Sequence, residues 1–128
     1  MTNNTNKYPV INWFEIPVSD LAKSTRLYEA MLDIKLLQIP GVQHAIFKGD
    51  NLEGTGGALV VDPKRKPGTT GTTIYLNARD GVDRALARAV EAGAKVVMPP
   101  TSIAPNGTIA LIEDLDGNLI GLHTEPSA

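Results

Sequence analysis

Glu113-Asp114-Leu115-Asp116-Gly117-Asn118-Leu119-Ile120-Gly121-Leu122-His123 is the stretch on which the reading of the chain turns. Asp116-Gly117 predicts a tight two-residue type I′ turn, because that turn needs positive φ and glycine adopts it without steric cost. Thr108-Ile109-Ala110-Leu111-Ile112 before it reads as a strand, and Leu119 to His123 after it as the returning strand. Side chains alternate along a strand, so Leu119, Gly121 and His123 share one face.

Upstream, the same grammar occurs twice. Val10 to Val18 reads as a first strand, with Phe14, Ile16 and Val18 on one face and Trp13, Glu15 and Pro17 on the other. Pro17 has no N–H for a ladder, which predicts a strand at or near an edge. Ser19 or Asp20 caps a helix from Leu21 to Leu32, whose apolar side carries Leu21, Tyr28, Met31 and Leu32. Three short strands follow, at Lys35 to Ile39, Gln43 to Lys48 and Gly57 to Val61. Gly54, Gly56 and Gly57 predict a flexible loop and a close backbone approach. Asp62 to Thr72 is polar, contains two prolines and two glycines, and reads as a linker.

The second copy opens on Thr73 to Ala78, with Thr73, Tyr75 and Asn77 on one face and Ile74, Leu76 and Ala78 on the other. Asp80 caps a helix in which Val82, Ala85, Leu86, Ala89 and Val90 follow the spacing of one helical face, and Gly93 ends it. Lys95 to Met98 is a strand that Pro99-Pro100 stops, and the hairpin follows. The expected fold is therefore α+β: two βαβββ modules forming a cupped, barrel-like sheet with the helices outside. The boundaries are 8–61 for module one, 62–72 for the linker and 73–124 for module two, within one domain over 8–128. Each module alone is too small to cover both faces of its sheet. A cup lined by both is where a ligand would sit.

The 12 basic and 14 acidic residues leave a net charge of −2, which excludes a nucleic-acid footprint as the basis of function. With no cysteine, disulfides, thiolate metal sites and thiol nucleophiles are all excluded. Met1 to Lys7 is rich in Asn and Thr, reads as disordered, and lacks the apolar stretch of a signal peptide. No segment has the apolar length of a membrane span. A soluble, cytoplasmic protein with no membrane contact is the expectation.

Three stretches together resemble the vicinal-oxygen-chelate superfamily of glyoxalases, bleomycin-resistance proteins and extradiol dioxygenases. They are Trp13-Phe14-Glu15-Ile16-Pro17-Val18-Ser19-Asp20-Leu21 with Leu27-Tyr28-Glu29, Glu91-Ala92-Gly93-Ala94-Lys95-Val96, and Asp114 to Ile120. The resemblance implies a homodimer. It also implies four metal-ligand positions in members that use a metal, commonly His or Glu. Matched by position these fall on Trp13, about Gly57, Thr73 and Gly121, none of which is an ordinary side-chain ligand for a divalent metal. The family's metal chemistry is therefore not carried over, and neither metal nor other cofactor is expected.

Glu15 faces the cup beside Trp13. There, desolvation would raise its pKa and make it a general base, with Tyr75, Asn77 and His123 as hydrogen-bonding partners. The plainer alternative pairs it with an arginine or the backbone for structural reasons. His123 is either its acid–base partner or a solvated histidine at the sheet rim. Convergence of His44, His123 and Glu15 would make an unorthodox metal site. Trp13, Thr73, Tyr75, Asn77 and Gly121 form the expected substrate wall, unless the aromatic rings only fill the cup. Lys64-Arg65-Lys66 reads as a solvated loop. Three functions remain open. The first is metal-free binding of a small organic molecule. The second is a lyase, isomerase or dioxygenase-like enzyme using Glu15 and His123. The third is a non-catalytic interaction module.

Overall fold

The computed structural model describes residues 10–47 and 55–126. The expectations for Met1 to Lys7 and for Gly54 lie outside the described residues.

Module one runs β1 (Trp13–Pro17), α1 (Leu21–Leu32), β2 (Leu37–Gln38), β3 (His44–Ile46) and β4 (Gly56–Val60). Module two repeats the order as β5 (Ile74–Asn77), α2 (Val82–Glu91), β6 (Lys95–Ser102), β7 (Thr108–Glu113) and β8 (Leu119–Thr124). The α+β architecture of two βαβββ modules is thus present. Each module forms a four-stranded mixed sheet, ordered β1-β4-β3-β2 and β5-β8-β7-β6, with the first and last strands of each module parallel. The two sheets stay separate and do not close into a barrel.

The registers make the modules superposable. Pro17 pairs with Val60 as Asn77 pairs with His123, and Glu15 with Ala58 as Tyr75 with Gly121. By that correspondence the counterpart of Gly121 is Ala58, not Gly57. Gly57 instead lies under the Phe14 ring, on the helix-covered face.

Asp20 is the N-cap of α1, its carboxylate accepting from Lys23 N at 3.0 Å. Ile16, Val18, Leu27, Tyr28 and Met31 are buried on the helix side of sheet one. Their apolar cluster continues into Leu76, Ala85, Ala110, Ile112 and Leu122 of module two. Burial at this scale stabilises each large side chain by about 1.5–3 kcal/mol. α2 packs against α1, and Arg88 donates to the α1 carbonyls of Ala30 and Met31, which end the helix without internal partners.

Three local expectations are corrected. Asp80 does not cap α2: Gly81 is the N-cap with no side-chain hydrogen bond, and both Asp80 oxygens accept from Arg88. Pro99-Pro100 does not stop the strand, because β6 is an edge strand whose second register shift, between Met98 and Thr101, spans the prolines, where a missing N–H costs no ladder bond. The hairpin turn is not type I′, since only Gly117 has positive φ there. Asp114 N donates to Asn118 O and Gly117 N to Asp114 O, which makes a longer loop ending in a left-handed glycine.

That loop also ties the modules together. Asp114 is buried, and its carboxylate accepts from Tyr28 Oη at 2.6 Å, Asp116 N, Asn118 N and Asn118 Nδ2. Asp116 accepts from the backbone and hydroxyl of Ser19. Asn118 Nδ2 donates to Pro17 O at 2.8 Å, and its Oδ1 accepts from Gly68 N at 3.0 Å. Every one of these partners outside the hairpin lies at least 50 positions away in the chain.

Candidate functional site

β1 and β5 are each an outer strand of their own sheet, and no ladder joins them. Between them lies a cleft of about 450 Å³, walled by Trp13, Phe14, Thr55, Tyr75 and Asn77 among others. Two aromatic rings stand in it for the same local reason. Trp13 lies against Gly56, where a Cβ would approach the indole to 3.3 Å. Tyr75 lies so close over Gly121 that a Cβ there would overlap the ring. Glycine lets each ring seat on the neighbouring strand's backbone. Both aromatics remain 46% exposed, so neither is consumed as core filling.

Of the residues expected to line the site, Trp13, Tyr75 and Asn77 are in its wall, and Gly121 is the seat of Tyr75. Thr73 is half-buried just before β5, and Thr72 stands in the wall instead. Glu15 is beside Trp13 on the same face but does not line the cleft. The indole Nε1 donates to its Oε2 at 3.2 Å, and Arg65 Nη2 meets its Oε1 at 2.7 Å. The expected partners Tyr75, Asn77 and His123 do not bond it. The hydrogen bond from Arg65 holds the carboxyl below its ordinary pKa, with further help from Trp13 and nearby His44. The expected upward shift is therefore reversed: this acid is a weaker proton acceptor than an ordinary glutamate, because a guanidinium outweighs the desolvation.

Arg65 is the residue the sequence reading missed. It sits in the linker, and its Nε also donates to Asp62 at 3.1 Å. The available signal was the inward carboxylate itself, which is costly to bury without a cation nearby.

His123 is half-buried on β8 with Nε2 2.8 Å from Asn106 O, an arrangement in which the ring N–H donates to the carbonyl. It is not joined to Glu15. Among the described residues no three His, Asp or Glu side chains gather as a metal-binding group. Of the four ligand positions that the resemblance implies, the repeat of the registers moves the one expected at about Gly57 to Ala58, alongside Trp13, Thr73 and Gly121. That donor set does not fit a divalent metal. A second hollow of about 420 Å³ lies at the start of α2 between Asp83, Arg84, Pro105 and Glu125. It is open and charged, and holds no aromatic ring.

The Glyoxalase/Bleomycin resistance protein/Dioxygenase superfamily profile matches residues 10–122, and the chain belongs to that superfamily. A glyoxalase/bleomycin resistance protein from Streptomyces sp. CB03234 is 32% identical, with a TM-score of 0.66 over 88% of this chain and 98% of that one. TnmS3, an antibiotic binding protein from the same organism, is 30% identical, with a TM-score of 0.65 over 94% of this chain and 98% of its own. A glyoxalase/bleomycin resistance protein from Albidiferax ferrireducens T118 shares the fold at 17% identity and a TM-score of 0.74, over 92% of this chain and all of that one. No curated protein matches the chain. No helix among the described residues is long and apolar enough to cross a membrane.

Proposed function

We propose that this protein binds a small organic molecule with a flat apolar part in the cleft between β1 and β5, without a metal. The observation that carries this is the pair of glycine-seated, half-exposed rings of Trp13 and Tyr75 facing one cavity of about 450 Å³. Flat rings bind flat rings by stacking, and such contacts add about 0.5–1.5 kcal/mol each beyond buried area. Asn77 supplies an orienting amide, and Gly121 and Thr73 shape the wall and its margin. Glu15 holds the indole edge. Neither Glu15 nor His123 is assigned a catalytic step, since one is bound to Arg65 and the other to a carbonyl. The likeness to an antibiotic binding protein supports an antibiotic as the kind of ligand. In this reading the protein works as a homodimer, which light scattering at micromolar concentration would read as twice the chain mass.

Trp13 is the sole tryptophan, so its emission reports the cleft directly. Titration with a panel of flat aromatic antibiotics should quench it and raise the melting temperature, because a ligand bound only to the folded state stabilises it. Trp13→Ala or Tyr75→Ala should weaken binding by about tenfold or more, a loss of roughly 1.4 kcal/mol, with the fold retained. A panel in which no compound moves either signal would falsify the reading.

A further inference from the structure

The seam between β1 and β5 has two ends related by the repeat. At one end Asn118 Nδ2 donates to Pro17 O at 2.8 Å and bridges module two to module one. The corresponding residues at the other end are Thr55 and Asn77. Thr55 precedes Val60 as Asn118 precedes His123, and Asn77 takes the place of Pro17 in the register. No such bridge exists there. Thr55 Oγ1 instead donates to Ile11 O of its own module at 2.7 Å. Thr55 and Asn77 both stand in the wall of the cleft. The cavity runs along β5 from Thr72 to Asn77 and meets β1 only toward its start, at Ile11, Trp13 and Phe14, so it reaches the end of the seam where a second bridge would stand.

We infer that Asn118 is a positioning residue that sets the width of the ligand cleft, which opens because only one end of the β1/β5 seam is fastened. All the hydrogen-bonding groups of its amide are used: the two N–H donors go to Pro17 O and Asp114 Oδ2, and Oδ1 accepts from Gly68 N. Asn118 is only 6% exposed and does not itself line the cleft. Asn118 leads directly into β8, the one strand that pairs with β5. Its bond to the last residue of β1 is thus a short mechanical path from one wall to the other. The bond to Gly68 extends the same path to the linker that carries Arg65, and hence to Glu15 and the indole of Trp13.

The inference rests on the binding reading only for what the cleft is for, so its test uses no ligand. Trp13 emission wavelength and acrylamide quenching are read in three variants alongside far-ultraviolet circular dichroism and melting temperature. Asn118→Ala should shift emission to the red and raise quenching with the fold intact, as the walls part. Tyr28→Phe removes a different contact between the modules, the bond to Asp114. It should lower the melting temperature while leaving Trp13 emission and quenching unchanged. Thr55→Asn supplies the missing amide at an exposed position and should reduce quenching. The inference is overturned if Asn118→Ala leaves Trp13 as in the parent, if Tyr28→Phe moves it as much, or if Thr55→Asn fails to shield it. A ligand screen that fails while these shifts appear would sink the binding reading and leave the role of Asn118 standing.

Discussion

Equivalent positions of the two modules carry opposite chemistry. Glu15 on β1 stands opposite Ala58 and reaches out to Arg65; Tyr75 on β5 stands opposite Gly121 and lies flat on it. At this position one module carries an ion pair beside the cleft, the other an aromatic surface in its wall. The backbone repeat dictates where a side chain can be presented, and the residue across the ladder decides which side chain will lie down. A methyl group on the neighbouring strand is enough to keep a ring off the backbone. The surface such a repeat presents is thus set by pairs of residues on adjacent strands.

The largest effect is expected where the two modules depend on each other. Asp114→Ala would leave Tyr28 Oη, two backbone N–H groups and the Asn118 amide without their acceptor in a buried setting. The expected loss is roughly 3 kcal/mol or more in urea unfolding, since each unsatisfied buried group costs about 1–3 kcal/mol. A loss below about 1 kcal/mol would mean that water replaces the carboxylate freely.

Next comes the exchange of the two ladder partners. Gly121→Ala should push Tyr75 off its seat, cost about 1–3 kcal/mol by overpacking, and abolish quenching of Trp13 by any bound aromatic compound. Ala58→Gly, the reciprocal change, should cost only about 0.5–1 kcal/mol through backbone entropy and leave binding intact. Equal effects of the two substitutions on binding would remove the distinction between the modules.

The smallest effect sharpens the charged half. Glu15→Gln should lower stability at neutral pH by at most about 1 kcal/mol, because its pair with Arg65 is partly exposed. The sign follows from a folded pKa below the unfolded one. The parent's advantage is present above the ordinary carboxylate range and vanishes as pH falls through the lowered value. Urea melts of both proteins at neutral and strongly acidic pH test this; an advantage that persists in acid would require another cause.

Much of this was readable from local patterns. The limits of α1 follow from an Asp at its start and an apolar stripe along one side, and Leu21 to Leu32 is the span observed. Alternation along β1 correctly turned Glu15 and Trp13 away from the helix. What escaped the sequence depends on distance along the chain. Arg65 meets Glu15 across fifty positions, through a linker whose composition specifies no register. Asp80 looks like a cap, yet Arg88, two turns along α2, takes both of its oxygens. Asp114 and Asn118 read as turn residues, and they are; nothing local says that the same turn holds α1 and the end of β1.

The outer margins of the sheets bear on how the protein behaves when crowded. Sheet one ends in β2, only two residues long, and sheet two in β6, which is broken by two prolines and two register shifts. Unpaired strand edges invite other chains to add on, and shortness, proline and bulges are what discourage it. Val96 and Val97 lie exposed on β6, yet the irregular backbone around them offers a poor template for a growing fibre. Dense solutions of this protein should therefore resist strand addition at β2 and β6, and any self-association has to be sought along β1, β5 or the sheet faces.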